Sequence, residues 1–413
     1  MKKIFSPKNL STALGFLGLY LISAGISWAF FSFAIGGGGS GPVIATNQLQ
    51  SKRSRLASLP RTEVCPINGA KFTEIEREIW ENRRPLTAVI ENHVDARPLE
   101  GLSRADIVYE AVAEAGVTRN LAVFYCGVAS EDVRIAPVRS ARVHFIKWAA
   151  GYGEDPIFLH IGGANNFCSE CPGGVKPKAD IDPRVNAYSL LSELRWTGGL
   201  SGNDLDAERN LGFPAIRRDP ERLSDIIGEK KLASEHTVVG MTDKIFEEAN
   251  KRGFGYENDG EPWTAGFTPW KFVDGAPATS PDATDISFGF WRNNPDYDVR
   301  WQYDPAGNQY RRFNGGSEVL DLSNENSPVM ASNVAVIFAR ETGPVDNEKH
   351  ILYDVVGEGK AIVFKNGTSI KGTWEKEDIA SSIKFADEKG REVEFVRGPV
   401  WVEALPLGNE VNF

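Results

Sequence analysis

The chain has 413 residues, 41% of them apolar and 10% aromatic, enough for a full buried core and for an expected two or three domains. Its formal net charge of -10 argues against a nucleic-acid partner, because phosphate binding needs a basic face to release counterions. An acidic ligand would need a local basic patch.

Leu10 to Ile35 carry no charge and follow Lys2, Lys3 and Lys8. This predicts a cytoplasmic stretch over 1–9 and a transmembrane signal anchor over 10–35, with the remainder exported. The alternative is a cleaved signal peptide ending near Ser32-Phe33-Ala34, but the apolar run exceeds the usual core of roughly 7 to 15 residues. No Cys follows closely, so a lipid-modified terminus is not indicated. The GGGGSG run and the polar residues after it read as a flexible tether over 36–63. Cys65, Cys126, Cys168 and Cys171 suit an oxidising compartment, with their pairing left open.

From Val64 the chain reads as a folded domain. Thr73 to Arg83 has a capping-box start and an apolar stripe, so a helix is expected there. Strands follow at Thr87 to Asn92, Asp106 to Val112, Asn120 to Cys126 and Ile157 to Ile161. A helix is expected over Ser140 to Tyr152 with Ser140 as its cap, and others over Ser189 to Trp196, Pro220 to Leu232 and Asp243 to Arg252. Gly162 to Pro183 reads as a long irregular insertion, and Gly255 to Asp285 as a linker or large loop. Beyond it, alternation around Trp301 and the turn signals Asn366-Gly367 and Lys389-Gly390 predict antiparallel strands. The expected fold class is α+β: a mixed α/β N-terminal domain with a central sheet over 64–254, then a mostly antiparallel β domain over 286–413.

The stretches NRRPLTAVIENHVDARPLEGLSRADIVYEAVAEAGVTRNLAVF, IAPVRSARVHF and FLHIGG resemble the N-terminal domain of the YerB-like bacterial lipoproteins, a family of uncharacterised function. WQYDPAGNQYRRF, VVGEGKAIVFKNGTSIKGTW and GPVWVEALP resemble that family's C-terminal domain. The resemblance implies an extracytoplasmic protein of two associated domains and brings no reaction with it. Two features depart from the pattern: the family is typically tethered through a lipidated Cys, and the insertion from Cys168 to Pro183 is foreign to it.

Arg139, Ser140 and Arg142 form the sharpest constellation. A helix capped at Ser140 would aim free N–H groups and two guanidinium groups at one spot, a receptor for carboxylate or phosphate. His160, followed by Gly162 and Gly163, lies at a strand end that delivers side chains to the same region, and Arg97, Arg119 and His236 complete the candidate ligand set. The competing view is that the arginines pair with Asp106, Glu110 or Glu114. Glu110, Glu91 and Asp106 are the acid/base candidates, with Asp106 and Glu110 on one strand face. Structural ion pairs would use the same carboxylates. The histidines lack ligand spacing and Cys168-x-x-Cys171 favours a structural disulfide or an inert pair, so neither a metal nor a cofactor is expected. The strand aromatics Trp301, Trp374 and Trp401 read as core. Together these features lead us to expect a membrane-anchored cell-envelope protein that binds an anionic ligand, such as a peptidoglycan peptide or charged glycan. The alternatives are a cell-wall hydrolase or a protein-interaction module.

Overall fold

A computed structural model describes residues 46–165, 167–168, 176–177, 181–199, 202–258 and 260–413. The expected membrane anchor, and Cys171 of the Cys-x-x-Cys pair, lie outside these residues. No helix among the described residues is long and apolar enough to cross a membrane.

One ten-stranded sheet runs through the molecule. Its strands in chain order are β1 (Leu86–Glu91), β2 (Ile107–Glu114), β3 (Val117–Phe124), β4 (Ile157–His160), β5 (Asp204–Asp206), β6 (Asn333–Ala339), β7 (Gly357–Lys365), β8 (Thr368–Lys376), β9 (Lys384–Asp387) and β10 (Val400–Pro406). The spatial order is β5-β4-β1-β3-β2-β10-β6-β7-β8-β9. The first five strands come from the N-terminal half and the last five from the C-terminal half. The fold is therefore α+β, and the two halves share one sheet.

Local sequence explains the elements. All six residues of β1 are buried, as expected for a central strand covered on both faces. β2 and β3 form a hairpin around Ala115 and Gly116, both at positive φ. β7 and β8 turn at Asn366 and Gly367, also both at positive φ, as the Asn-Gly signal predicts. Thr73 accepts from the Glu76 N–H while the Glu76 carboxylate accepts from the Thr73 N–H, so the capping box is present and starts the helix Glu74–Trp80. In the second, smaller sheet, Val299–Asp304 pairs with Gln309–Asn314 and buries Val299, Trp301 and Tyr303 on one side.

Several expectations are corrected. The segment read as a free tether includes the helix Thr46–Arg53, whose Arg53 binds Asp243 at 2.6 Å and the Ala129 carbonyl at 3.0 Å. The chain therefore joins the folded body before Val64. The helix expected over Pro220 to Leu232 is a single turn, Ser224–Ile227, ended by Gly228 at positive φ. The helix expected over Asp243 to Arg252 runs over Thr242–Lys251, and the Thr242 hydroxyl accepts from the Val133 N–H and donates to Asp132. A disulfide joins Cys65 to Cys126, fixing the N-terminal segment beside the end of β3.

The joint between the halves is the parallel pair β2 and β10, whose register sets Glu403 directly opposite Glu110. Two like charges so placed would repel, and both are fully buried. Arg312, from the smaller sheet, lies between them: it pairs with Glu110 and, at 2.6 Å, with Glu403. Its guanidinium lies 5.1 Å from the Trp301 ring and 4.3 Å from the Trp401 ring. Burial pushes the Glu403 carboxyl up from 4.5 to about 8, with Arg312 opposing and the Glu110 charge adding to the rise. At neutral pH one proton and one guanidinium balance two carboxyl groups.

Arg312→Met leaves Glu110 buried without its counterion, so we predict a loss of about 3–5 kcal/mol, read from the urea midpoint; a change below about 1 kcal/mol would show that the joint does not depend on this pair. Because the folded carboxyl is raised, stability linked to Glu403 is present below pH 4.5 and lost as pH rises through about 8. Glu403→Gln should therefore gain on the unsubstituted protein across that window.

Candidate functional site

The structure distributes the expected constellation over three separate networks. The first is built on Glu91, the last residue of β1. Its Oε1 is 3.0 Å from Arg139 Nε, and its Oε2 is 2.7 Å from His236 Nδ1. His236 ends a short 3-10 turn, Ser234–His236, and its ring stacks on His93 with centroids 5.1 Å apart. Asp95 follows in the turn Val94–Ala96, where its N–H donates to His93 Nδ1 at 3.2 Å.

The second network surrounds Glu114 at the end of β2. Arg119 and Arg142 both pair with it, Arg142 at 2.6 Å. Arg119 also donates to the Ser140 carbonyl at 2.9 Å, and Arg142 to the Ala141 carbonyl. Burial opposes the charge on Glu114, but the two guanidinium groups override it and hold the carboxyl down at about 2.

In the third network, His160 is fully buried between Asp204 at 2.5 Å and the Gly162 carbonyl at 2.7 Å. Burial alone would lower its pKa; the hydrogen bond it donates to Asp204 and the charges of Asp204 and Asp206 raise it. The Gly162 N–H donates to Asp206, and Gly163 packs beside Tyr188. His160 thus serves the β4–β5 edge of the sheet, while His236 belongs to the Glu91 network.

The helix-start receptor is corrected. The helix runs over Val143–Ala149 with Arg142 at its cap position and no side-chain cap, so Ser140 is not its start. The Ala141 N–H, the first that a helix capped at Ser140 would have offered a ligand, donates to the Gly162 carbonyl, and the Arg139 N–H before the cap donates to the Val89 carbonyl. Arg142 is buried against Glu114, so this part of the competing ion-pair view holds.

The paired acid/base reading of Asp106 and Glu110 is also corrected. Asp106 precedes β2, and its carboxylate accepts from the N–H groups of Tyr125, Cys126 and Gly127 and from Asn68. Burial raises it to about 7 against those hydrogen bonds. Glu110 is fully buried and engaged with Arg312, Thr118 and Asn92. The two carboxylates share no partner, and neither reaches solvent.

Arg97 differs from the other arginines. It is half-buried, donates to the Asn92 side chain and carbonyl and to the Asp296 carbonyl, and lies 5.0 Å from the Tyr297 ring. No carboxylate lies within ion-pair distance of it among the described residues. It lines a groove of about 610 Å³ where the Asn92 to Leu99 segment meets Asn314 to Leu320 of the C-terminal half. Val94, Pro98 and Val319 give the groove apolar walls, Asn92 and Asn314 give it amide groups, and Asp296 and Glu318 line it as well, Glu318 paired with Arg311.

Sequence reasoning missed Arg312, Glu403, Asp204 and Asp206. A signal existed for the first two. Arg312 alternates with Tyr310 and Asn314 on the inward face of a strand, and Glu403 interrupts the apolar run VWVEALP. Asp204 and Asp206 stand in a three-residue strand too short for a periodic signal.

A single α+β body, with its halves joined through one sheet and a groove at the joint, defines the class of protein. Residues 72–184 match the N-terminal domain, and residues 286–402 the C-terminal domain, of the family described as a protein of unknown function (DUF3048). The chain belongs to this YerB-like family. It is 27% identical to the putative lipoprotein YerB of Bacillus subtilis over 342 residues, 83% of this chain and 86% of that one. The crystal structure of Bacillus subtilis YerB superposes with a TM-score of 0.62 at 24% identity, covering 85% of this chain and all of that one, and shares the fold.

For Glu114, whose folded carboxyl is lowered, the linked stability is present above pH 4.5 and lost as pH falls towards 2. Glu114→Gln should cost about 3 kcal/mol at neutral pH, with the gap to the unsubstituted protein closing in acid. A gap that stays constant with pH in chemical denaturation would remove the ion pair from the account.

Proposed function

We propose that this is an extracytoplasmic, membrane-tethered cell-envelope protein that binds an anionic envelope ligand, a carboxylate-bearing peptide or charged glycan, in the groove at Arg97. Export is supported by the charge-free run behind Lys2, Lys3 and Lys8, and tethering also by the name of the relative, a putative lipoprotein.

The observation that carries the reading is Arg97 itself: a cation on a groove wall, partly desolvated and held by neutral acceptors alone. Burial lowers its pKa, and nearby Tyr297 and Glu110 only partly oppose this. A guanidinium in that state gains most from a carboxylate or phosphate that completes its fork. Arg139, Arg119 and Arg142 already have that partner within the protein. Apolar walls and two amide groups beside the cation suit a ligand whose anionic end meets Arg97 and whose uncharged body keeps clear of Asp296 and the Arg311-paired Glu318 in the same lining.

The test is sedimentation of the full chain, in detergent micelles, with purified cell-wall sacculi. Arg97→Ala should weaken binding at least about 10-fold, the size of one lost charge-assisted hydrogen bond. Binding that is unchanged by Arg97→Ala would sink the proposal. Fragments released into the supernatant would instead identify a hydrolase.

A further inference from the structure

We infer that His93, Asp95 and His236 form a binding site for a divalent first-row metal ion of the zinc class, with Glu91 behind it as the carboxylate that orients His236. One potential ligand atom from each of the three residues lies within 4.8 Å of the others. Ligands on a tetrahedral ion of this class stand about 3.3–3.5 Å apart, with metal–ligand bonds of about 2.0–2.2 Å. Closing the site therefore draws ligand atoms together by up to about 1.5 Å.

The hydrogen bonding sets the chemistry. Glu91 Oε2 lies 2.7 Å from His236 Nδ1, and an ionised carboxylate there selects the tautomer with the proton on Nδ1, which leaves Nε2 its lone pair. A carboxylate behind a histidine is the arrangement that fixes a metal-binding ring and raises its basicity. Arg139, on the other oxygen of Glu91, holds that carboxylate in place.

His93 Nδ1 lies 3.8 Å from Asp95 Oδ2 and accepts the Asp95 N–H, a hydrogen bond that a metal ion taken up at this nitrogen would replace. The three side chains grade from floor to mouth: His236 is 7% exposed, His93 34% and Asp95 74%. An ion can enter from the Asp95 side, and three protein ligands leave a fourth position for water or a ligand donor. Two imidazoles with one carboxylate favour zinc, nickel or cobalt over calcium or magnesium, which prefer oxygen alone. The site adjoins the groove in sequence, since Asn92 and Val94 flank His93 and line the groove wall.

The probe is Co2+, titrated into the full chain in detergent micelles and followed by its visible absorption bands. We expect one saturable Co2+ per chain, displaced by Zn2+. His93→Ala and Asp95→Asn, at exposed or half-exposed positions that should leave the urea midpoint unchanged, should each weaken binding at least 10-fold. Glu91→Gln should weaken it by about 10- to 100-fold, as loss of an orienting carboxylate does.

Absence of saturable binding in the unsubstituted chain would overturn the inference. So would binding that His93→Ala and Asp95→Asn leave unchanged, which would place the metal elsewhere. The titration contains no envelope ligand, so its failure would leave the Arg97 reading standing, and the converse holds as well.

Discussion

The parallel pairing of β2 with β10 brings Glu110 and Glu403 face to face in the core, and the structure depends on how that contact is resolved. Desolvating one carboxylate is costly, and two side by side cannot both remain charged. Arg312 supplies one positive charge and Glu403 retains one proton, while two indole rings fill the space around the guanidinium. An apolar contact of the same size would hold the halves together at less electrostatic cost, but would fix their register less strictly. A triad that is satisfied only in one alignment selects that alignment.

The same network reaches the surface. Asn92 donates to Glu110 and to the side chain of Asn314, and both asparagines line the groove that contains Arg97. The groove floor is therefore held by the buried ion cluster, not by loop packing alone. Rigid support of this kind lowers the ordering cost of binding, so on the proposed reading a modest set of contacts at Arg97 would be enough for useful affinity.

The alternation and turn chemistry of the sequence were enough for the class of fold, for β1 to β4 and for the β7–β8 hairpin, because each is specified within a dozen neighbouring residues. The union of the halves into one sheet was not legible. Nothing local in GPVWVEALP says that its strand pairs with Ile107–Glu114, almost 300 residues away. The arginine cluster was found, but its use was misjudged at Ser140, where backbone N–H groups that sequence leaves free are taken up by bridges to Val89 and Gly162. Glu91 and His236, separated by 145 positions, meet where Val138, bridged to Ile90 of β1, donates its N–H to the Val238 carbonyl just after the His236 turn. Residue spacing along the chain cannot report a pair assembled in that way.

Charge placement then separates structural from binding roles among residues of one chemical type. Arg119, Arg142 and Arg312 are buried beside carboxylates, and their guanidinium groups are already used by the fold. Arg139 is intermediate: it faces Glu91 from the rim, where it steadies the carboxylate that in turn holds His236. Arg97 alone among these five has only neutral acceptors. An arginine whose counterion is built into the fold has little left to offer a ligand, because a second anion must compete with the first. Arg97, desolvated and with neutral hydrogen-bond acceptors only, is on the proposed reading the arginine that a ligand carboxylate would complete with the least reorganisation. On that reading the groove at the joint, rather than the arginine-rich turn before Val143, is where an anionic ligand would gain most.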